Sequence, residues 1–329
     1  MPENEPDIFL NDQGICNLCL EHEYSKKFEL AQKPLESDLI KILDKHRGKK
    51  KYDCMVMCSG GKDSTSALYF MKKRYNLNVL AFTFDHGFET EDALNNVRRA
   101  VEKLDIDFIL FSSSFMKPMF EKMISSDSKA VVCHPCSIWY MDLAFDTAAR
   151  YDIPLIVAGW TKGQSTKQEV MSKCGCNVHA IEFKAMAEST KHFLENDLKD
   201  LPQYKDFPTS MEEVLKRAKK RHKSLVISPH WFLPYGPDEY VEIIKRELGW
   251  ELPKLSYPKG STNCSLNFIS VYNSLKHFGY THYHVEASKL IREGVITREE
   301  ALDQLKQNFD NETLQDVASK LNIDFSKHL

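Results

Sequence analysis

The residues with the most evident chemistry stand in a row: Ser59-Gly60-Gly61-Lys62-Asp63-Ser64. Two glycines let the backbone turn tightly and present its N–H groups to an anion. Ser59 and Ser64 add hydroxyl donors, and Lys62 adds a mobile cation. The preceding YDCMVMC is a short apolar run of the kind that forms a buried strand, and the following DSTSALYFMKKRYN reads as a helix. A helix beginning here points its positive end at the same place. The segment therefore reads as a phosphate cradle at a strand-to-helix turn, with a plain Gly-Gly turn and a solvated lysine as the ordinary alternative. It is not the Gly-x4-Gly-Lys-Ser/Thr loop of common nucleoside triphosphatases, because the spacing differs and Asp63 follows the lysine.

The second set of reactive side chains is the nine cysteines. Cys133-His-Pro-Cys136 is a CxxC just ahead of the helical stretch SIWYMDLAF, and Cys264 sits far away in the loop STNC. A CxxC with one distant cysteine can hold a four-iron, four-sulfur cluster, three thiolates leaving one iron open. A zinc site completed by His134, or loop thiols with an incidental third, are the alternatives. Cys16 and Cys19 form a second pair, too few alone for structural zinc, which takes four ligands. Cys54 reads as a core residue, Cys58 reads either way beside the phosphate loop, and Cys174 and Cys176 have no assigned role.

These residues need a frame. At 329 residues and 38.0 kDa the chain has room for one large domain or two ordinary ones. Strand-like and helix-like text alternates four times from YDCMVMC to PLIVAGW. That pattern predicts a parallel sheet wrapped by helices, with strand ends at Asp85-His86 and Gly159 near the loop. The expected divisions are an N-terminal cysteine-pair segment (1–34), the sheet domain (35–200) and a mostly helical C-terminal region (201–329). Within the last, Thr297-Arg-Glu-Glu300 has the form of a capping box. The basic run from Lys216 to Lys223 reads as a solvated helix rather than a phosphate track, and His277, His282 and His284 read singly as surface residues.

Composition narrows the classes. With 44 basic and 47 acidic residues, net charge −3, the chain lacks the basic excess of most nucleic-acid binders. No run approaches 18 apolar residues, so no membrane association is expected. The opening MPENEPDIFLNDQG has neither a basic start nor an apolar stretch, which predicts a cytoplasmic location and reduced thiols.

The segment SGGKDS after a first strand resembles the pyrophosphate loop of the PP-loop ATPases, or adenine nucleotide alpha-hydrolases. The resemblance implies an α/β, parallel-sheet PP-loop (HUP-like) nucleotide-binding domain with a helical C-terminal region. It implies ATP and Mg²⁺, with Lys62 and Asp63 catalytic and Ser59, Gly60, Gly61, Lys62, Asp63, Ser64, Asp85, His86 and Gly159 around the nucleotide. Such enzymes adenylate a carbonyl or amide oxygen, release pyrophosphate and let a nitrogen or sulfur nucleophile displace AMP. Across most of its length the chain is similar to the N-acetyl sugar amidotransferases of bacterial surface-glycan (lipopolysaccharide) biosynthesis. The similarity runs through GICNLC, YDCMVMCSGGKDS, FTFDHGFETE, CHPCSIWYM, IPLIVAGW and SKLIREGVITREEAL. This implies a sugar or sugar-nucleotide substrate and a glutaminase partner supplying ammonia. That family carries a further cysteine pair ahead of its Met-Pro segment, so Cys16 and Cys19 would be half of a zinc site. Cys264 stands where a cysteine-free stretch is expected, and Cys133, Cys136 and Cys264 resemble the cluster ligands of iron-sulfur tRNA thiolases. The alternative is therefore a 4Fe-4S sulfurtransferase acting on tRNA or a small metabolite. A third reading, a nucleotide-binding regulatory module without catalysis, fits the intact loop poorly.

Overall fold

A computed structural model describes residues 1–3, 8–26, 35–161, 181–258, 263–307 and 309–327. Five parallel strands form one sheet: β1 (Cys54–Met57), β2 (Val79–Asp85), β3 (Asp107–Ser112), β4 (Leu155–Val157) and β5 (Leu225–Ile227), in the order β3-β2-β1-β4-β5. Val56 pairs with Ala81 on one side and Val157 on the other, which places β1 at the centre. The helices are α1 (Asn17–Lys26), α2 (Glu36–Asp44), α3 (Lys62–Tyr69), α4 (Glu91–Leu104), α5 (Lys117–Ser125), α6 (Cys133–Arg150) and α7 (Ile181–His192). They continue as α8 (Met211–Arg221), α9 (Pro237–Leu248), α10 (Leu266–Phe278), α11 (His282–Arg292), α12 (Arg298–Gln304) and α13 (Asn311–Ser319).

Alternation along the strands divides the core into two layers. Met55, Met57, Leu80, Phe82, Phe84 and Ile156 face one side. Cys54, Val56, Cys58, Val79, Ala81 and Val157 face the other. Because helices cover both faces, the strands read as continuous apolar runs rather than alternating ones. Helix α4 shows how the flanking helices form: Thr90 caps it by accepting from Ala93 N at 3.3 Å, and Asp105 ends it in the left-handed region at φ 50°. Its Ala93, Val97, Ala100, Val101 and Leu104 recur at helical spacing and are buried. The capping box of α12 forms as its sequence predicts, with Glu300 N donating to Thr297 Oγ1 at 3.1 Å and Thr297 N donating to Glu300 Oε2 at 2.7 Å.

Three features depart from the sequence expectation. The sheet has a fifth strand, β5, beyond residue 200; it hides in KSLVI at the end of the basic helix because three residues are too few for a periodic signal. Cys133 and Cys136 lie in the first turn of α6 rather than ahead of it. Finally, Leu266, Phe268, Ile269 and Val271 of α10 and Leu314, Val317 and Ala318 of α13 belong to the same core layer as Phe82 and Phe84. The C-terminal helices therefore close one face of the sheet.

The strand order reverses beside β1: β1 leads through α3 to β2 on one side, and β4 lies on the other. In such sheets the crevice at the carboxyl ends of the strands is where ligands bind. The loop, the start of α3 and Gly159 past the end of β4 meet at that edge.

Candidate nucleotide and metal site

Cys58 extends β1 by one bond, its N–H donating to Phe82 O at 2.8 Å, and its side chain is fully buried. It is a core residue beneath the loop. Gly60 then turns with φ +80°, and a Cβ there would lie 2.1 Å from the Ala93 carbonyl oxygen, so only glycine fits. Gly61 is the N-cap of α3. Ser59 N donates to Ser64 Oγ at 3.1 Å, and the two hydroxyls lie 3.2 Å apart. Gly159, just past β4, approaches α3 so closely that a Cβ would lie 2.5 Å from Ser64 Cα. The loop, the start of α3 and the end of β4 thus meet as the sequence arrangement requires.

What holds this loop from outside comes from distant segments. The Gly60 carbonyl accepts from Trp250 Nε1 at 2.9 Å and from Asn96 Nδ2 at 3.3 Å. His230 Nε2 donates to the Asp63 carbonyl at 2.8 Å, Lys62 Nζ donates to Asp63 Oδ2 at 2.7 Å, and Tyr240 OH donates to Asp63 Oδ1. Burial works to raise the Asp63 carboxyl, but Lys62, His230 and Tyr240 together outweigh it and hold Asp63 below its ordinary value. Asp63 is therefore ionised and fixed. Glu286 of α11 faces the same two side chains: burial, with Asp63 adding to it, pushes its carboxyl up to about 8 against the pull of Lys62 and Lys289. None of Trp250, Asn96, His230, Tyr240 or Glu286 stands in a motif; only folding brings them to the loop.

Next to the loop, the end of β2 carries Asp85, and His86 follows it. Asp85 is half-buried, and its Oδ1 accepts from Gly87 N at 2.7 Å in a local turn. His86 is buried, packed among Phe84, Phe88 and Phe120, and burial lowers its pKa to about 4, so it is neutral near pH 7. Its Nε2 faces Glu89 Oε1 at 3.6 Å and Cys264 Sγ at 3.7 Å. Burial holds the Glu89 carboxyl well above its ordinary value, and Asp85 adds to this. The thiols of Cys133, Cys136 and Cys264 are all raised by burial, and Glu89 raises each of them further. Cys133 also donates to Ser270 Oγ at 3.4 Å. The Glu89 carboxyl therefore acts on all three thiols. The Tyr140 hydroxyl donates to Phe82 O at 3.1 Å, and its ionisation is opposed by burial first and by Cys58, Glu89 and Cys136 as well. Glu89 is the residue that sequence reading passes over, since a lone acid after a strand carries no signal.

Cys16 and Cys19 place their sulfurs 3.5 Å apart, close to the spacing of two thiolates on one tetrahedral zinc, roughly 3.8 Å. Among the described residues no third His, Cys, Asp or Glu ligand atom joins them. His134 lies away from the metal-like group, its Nδ1 3.1 Å from Thr190 Oγ1. Cys174 and Cys176 lie outside the described residues. His282 and His284 are half-buried rather than on the surface, and burial lowers the pKa of His282 to about 4. In α8, Arg217 pairs with Glu213 and Arg221 with Asp142 at 3.0 Å, while Met211, Val214 and Ala218 face inward, as in a solvated amphipathic helix.

Comparison with known proteins divides along the same lines. Residues 53–137 match the family of the queuosine biosynthesis protein QueC, a PP-loop ATPase family. Residues 262–327 match the C-terminal domain of WbpG-like LPS biosynthesis proteins. The first segment contains the loop, His86, Glu89, Cys133 and Cys136; the second contains Cys264 and Glu286. An uncharacterized protein of Methanocaldococcus jannaschii is 30% identical over 131 residues, 39% of this chain and 45% of its own length. The chain thus spans less than half of that relative. Solved structures that align include the U34-tRNA thiolase NcsA from Methanococcus maripaludis with its 4Fe-4S cluster, at 14% identity over 83% of this chain and 85% of that one, TM-score 0.37. NMN synthetase from Francisella tularensis aligns at 12% identity over 87% and 94%, TM-score 0.41. NH3-dependent NAD synthetase from Campylobacter jejuni aligns at 16% identity over 56% and 89%, TM-score 0.31.

Proposed function

We propose that this chain, a PP-loop ATPase by residues 53–137 with a WbpG-like C-terminal domain at 262–327, uses ATP to exchange a carbonyl or amide oxygen for nitrogen. The observation that carries this reading is the loop itself: a Gly60-Gly61 turn at the head of α3, with Lys62 and an ionised Asp63 at its mouth.

The acceptor oxygen attacks the α-phosphorus of ATP, and the bond to the β-phosphate breaks, releasing pyrophosphate. Ammonia then adds to the activated carbon, and the oxygen leaves with AMP. Loop N–H groups, Ser59, Ser64 and Lys62 hold the pyrophosphate as its charge develops. Lys62 must leave Asp63 to do so, which frees a carboxylate at the loop mouth. Asp63 and Asp85, both oxygen donors of the kind Mg²⁺ prefers, are the residues that would hold that ion, whose charge would help neutralise the phosphates. A carboxyl pushed up to about 8 leaves Glu286 mostly protonated near pH 7, a proton donor beside Lys62 and Asp63. The WbpG-like segment favours an N-acetyl sugar or sugar-nucleotide acceptor, with a glutaminase as the source of ammonia, in the cytoplasm.

A second reading, sulfur insertion into tRNA or a small metabolite, is favoured by one observation: the Glu89 carboxyl acts on the ionisation of Cys133, Cys136 and Cys264 alike. Three thiolates suit a 4Fe-4S cluster with an open iron. Pyrophosphate release from ATP, assayed with N-acetylated nucleotide sugars and isotopically labelled ammonia, tests the main reading. Label should enter the product, and Lys62→Ala should cut release at least about 100-fold. Absence of label with brown, four-iron protein would transfer the assignment to sulfur.

A further inference from the structure

We infer that His86, Glu89 and Cys264 form a binding site for a single divalent transition-metal ion of the zinc class, distinct from a three-cysteine cluster. Among the described residues, this is the one set of three His, Cys, Asp or Glu ligand atoms that lie within 4.8 Å of one another. Two of the separations are 3.6 Å from His86 Nε2 to Glu89 Oε1 and 3.7 Å from His86 Nε2 to Cys264 Sγ. The first is too long for a hydrogen bond between nitrogen and oxygen. Both lie close to the spacing set by a shared tetrahedral ion: bonds of about 2.0–2.3 Å place neighbouring N, O and S ligands roughly 3.3–3.6 Å apart. The imidazole and the thiol share a long sulfur hydrogen bond at 3.7 Å, and the carboxylate stands 3.6 Å from the same nitrogen, so an ion between them would replace weak contacts with three ligand bonds.

The frame is built to hold that spacing. Glu89 and Cys264 face each other across an antiparallel bridge, flanked by Thr90 N to Asn263 O at 2.8 Å and Ser265 N to Phe88 O at 2.8 Å. Asn263 Nδ2 donates to Glu89 Oε2 at 3.0 Å, which orients the carboxylate and leaves Oε1 turned to His86. Such outer contacts are what align ligands in protein metal sites. His86 is 3% exposed, and its Nδ1 has no hydrogen-bond partner among the described residues. Imidazole, carboxylate and thiolate are the donor set of zinc and its neighbours, and three protein ligands leave a fourth position for an exchangeable one. On binding, the Cys264 S–H and the Glu89 carboxyl each give up a proton to solvent, and three ligand bonds form, from His86, Glu89 and Cys264.

The site does not depend on the adenylation reading, so its failure leaves that reading standing. Metal-stripped full-length protein is titrated with Co²⁺, which reports thiolate ligation as an intense near-ultraviolet charge-transfer band. One equivalent is expected, with affinity at least tenfold weaker in Glu89→Gln, His86→Gln and Cys264→Ser. Cys133→Ser and Cys136→Ser should bind within twofold of the parent. Glu89→Gln retains the Asn263 contact; should any variant fail to fold, alkylation of the parent protein decides. Saturating Zn²⁺ should slow modification of Cys264 at least tenfold. No cobalt band, equal loss on Cys133→Ser and Cys264→Ser, or no protection of Cys264 by Zn²⁺ would each overturn the site.

Discussion

Lys62 and Glu286 show how single side chains divide labour in this crevice. Lys62 is held by Asp63 at 2.7 Å, so it is available to a phosphate only by exchanging one anion for another. Glu286 answers to burial instead. Its carboxyl moves from 4.5 to about 8, so the folded protein binds that proton more tightly than the unfolded chain does. The associated stability is complete below the ordinary carboxyl value and is lost as pH rises toward about 8. Across pH 5–8 the melting temperature of the parent should therefore fall relative to Glu286→Gln, with the two closest at the acid end. Parallel curves would mean that Glu286 is solvated and does not meet Lys62 and Asp63.

At the scale of the element, the loop works because three pieces of backbone touch. Gly60 sits against Ala93 of α4, and Gly159 sits against Ser64 of α3. A methyl group at Gly60 would meet a carbonyl oxygen at 2.1 Å and would impose a side chain on φ +80°. Gly60→Ala should cost about 2–4 kcal/mol, combining overpacking with backbone strain, and should weaken ATP binding more than global stability alone explains. Calorimetric titration with ATP beside a urea melt separates the two effects. Gly159→Ala presses on Ser64 at 2.5 Å and should weaken nucleotide binding in the same way.

For the whole molecule, the C-terminal helices matter because they complete both the core and the site. Phe268 is 2% exposed and packs in the layer that also contains Phe82 and Phe84. Phe268→Ala should destabilise the protein by about 3–5 kcal/mol. Unfolding followed by tryptophan fluorescence and by circular dichroism should remain coincident, since a shared core melts as one unit. Two separated transitions would show instead that the C-terminal region is an independent domain, as the division at residue 201 expects.

Local text determined the strand, the Gly60-Gly61 turn and the head of α3, because a phosphate loop is built from consecutive residues whose φ preferences and hydrogen-bonding groups act over a few ångströms. It also determined the alternation of strands and helices, since apolar periodicity records which face each element buries. The same locality explains what stayed hidden. β5 is three residues long, Glu89 is a lone acid, and Trp250 reaches Gly60 across 190 positions. Cys264 meets His86 across 178. Neither contact leaves a spacing to read, because each depends on where the C-terminal helices settle on the sheet. Sequence alone thus marked an ATP-type loop and a set of reactive cysteines. Tertiary structure decided that Glu286 joins the loop and that Cys264 joins His86 and Glu89, because burial of the C-terminal helices, not their local pattern, carries those groups into the crevice.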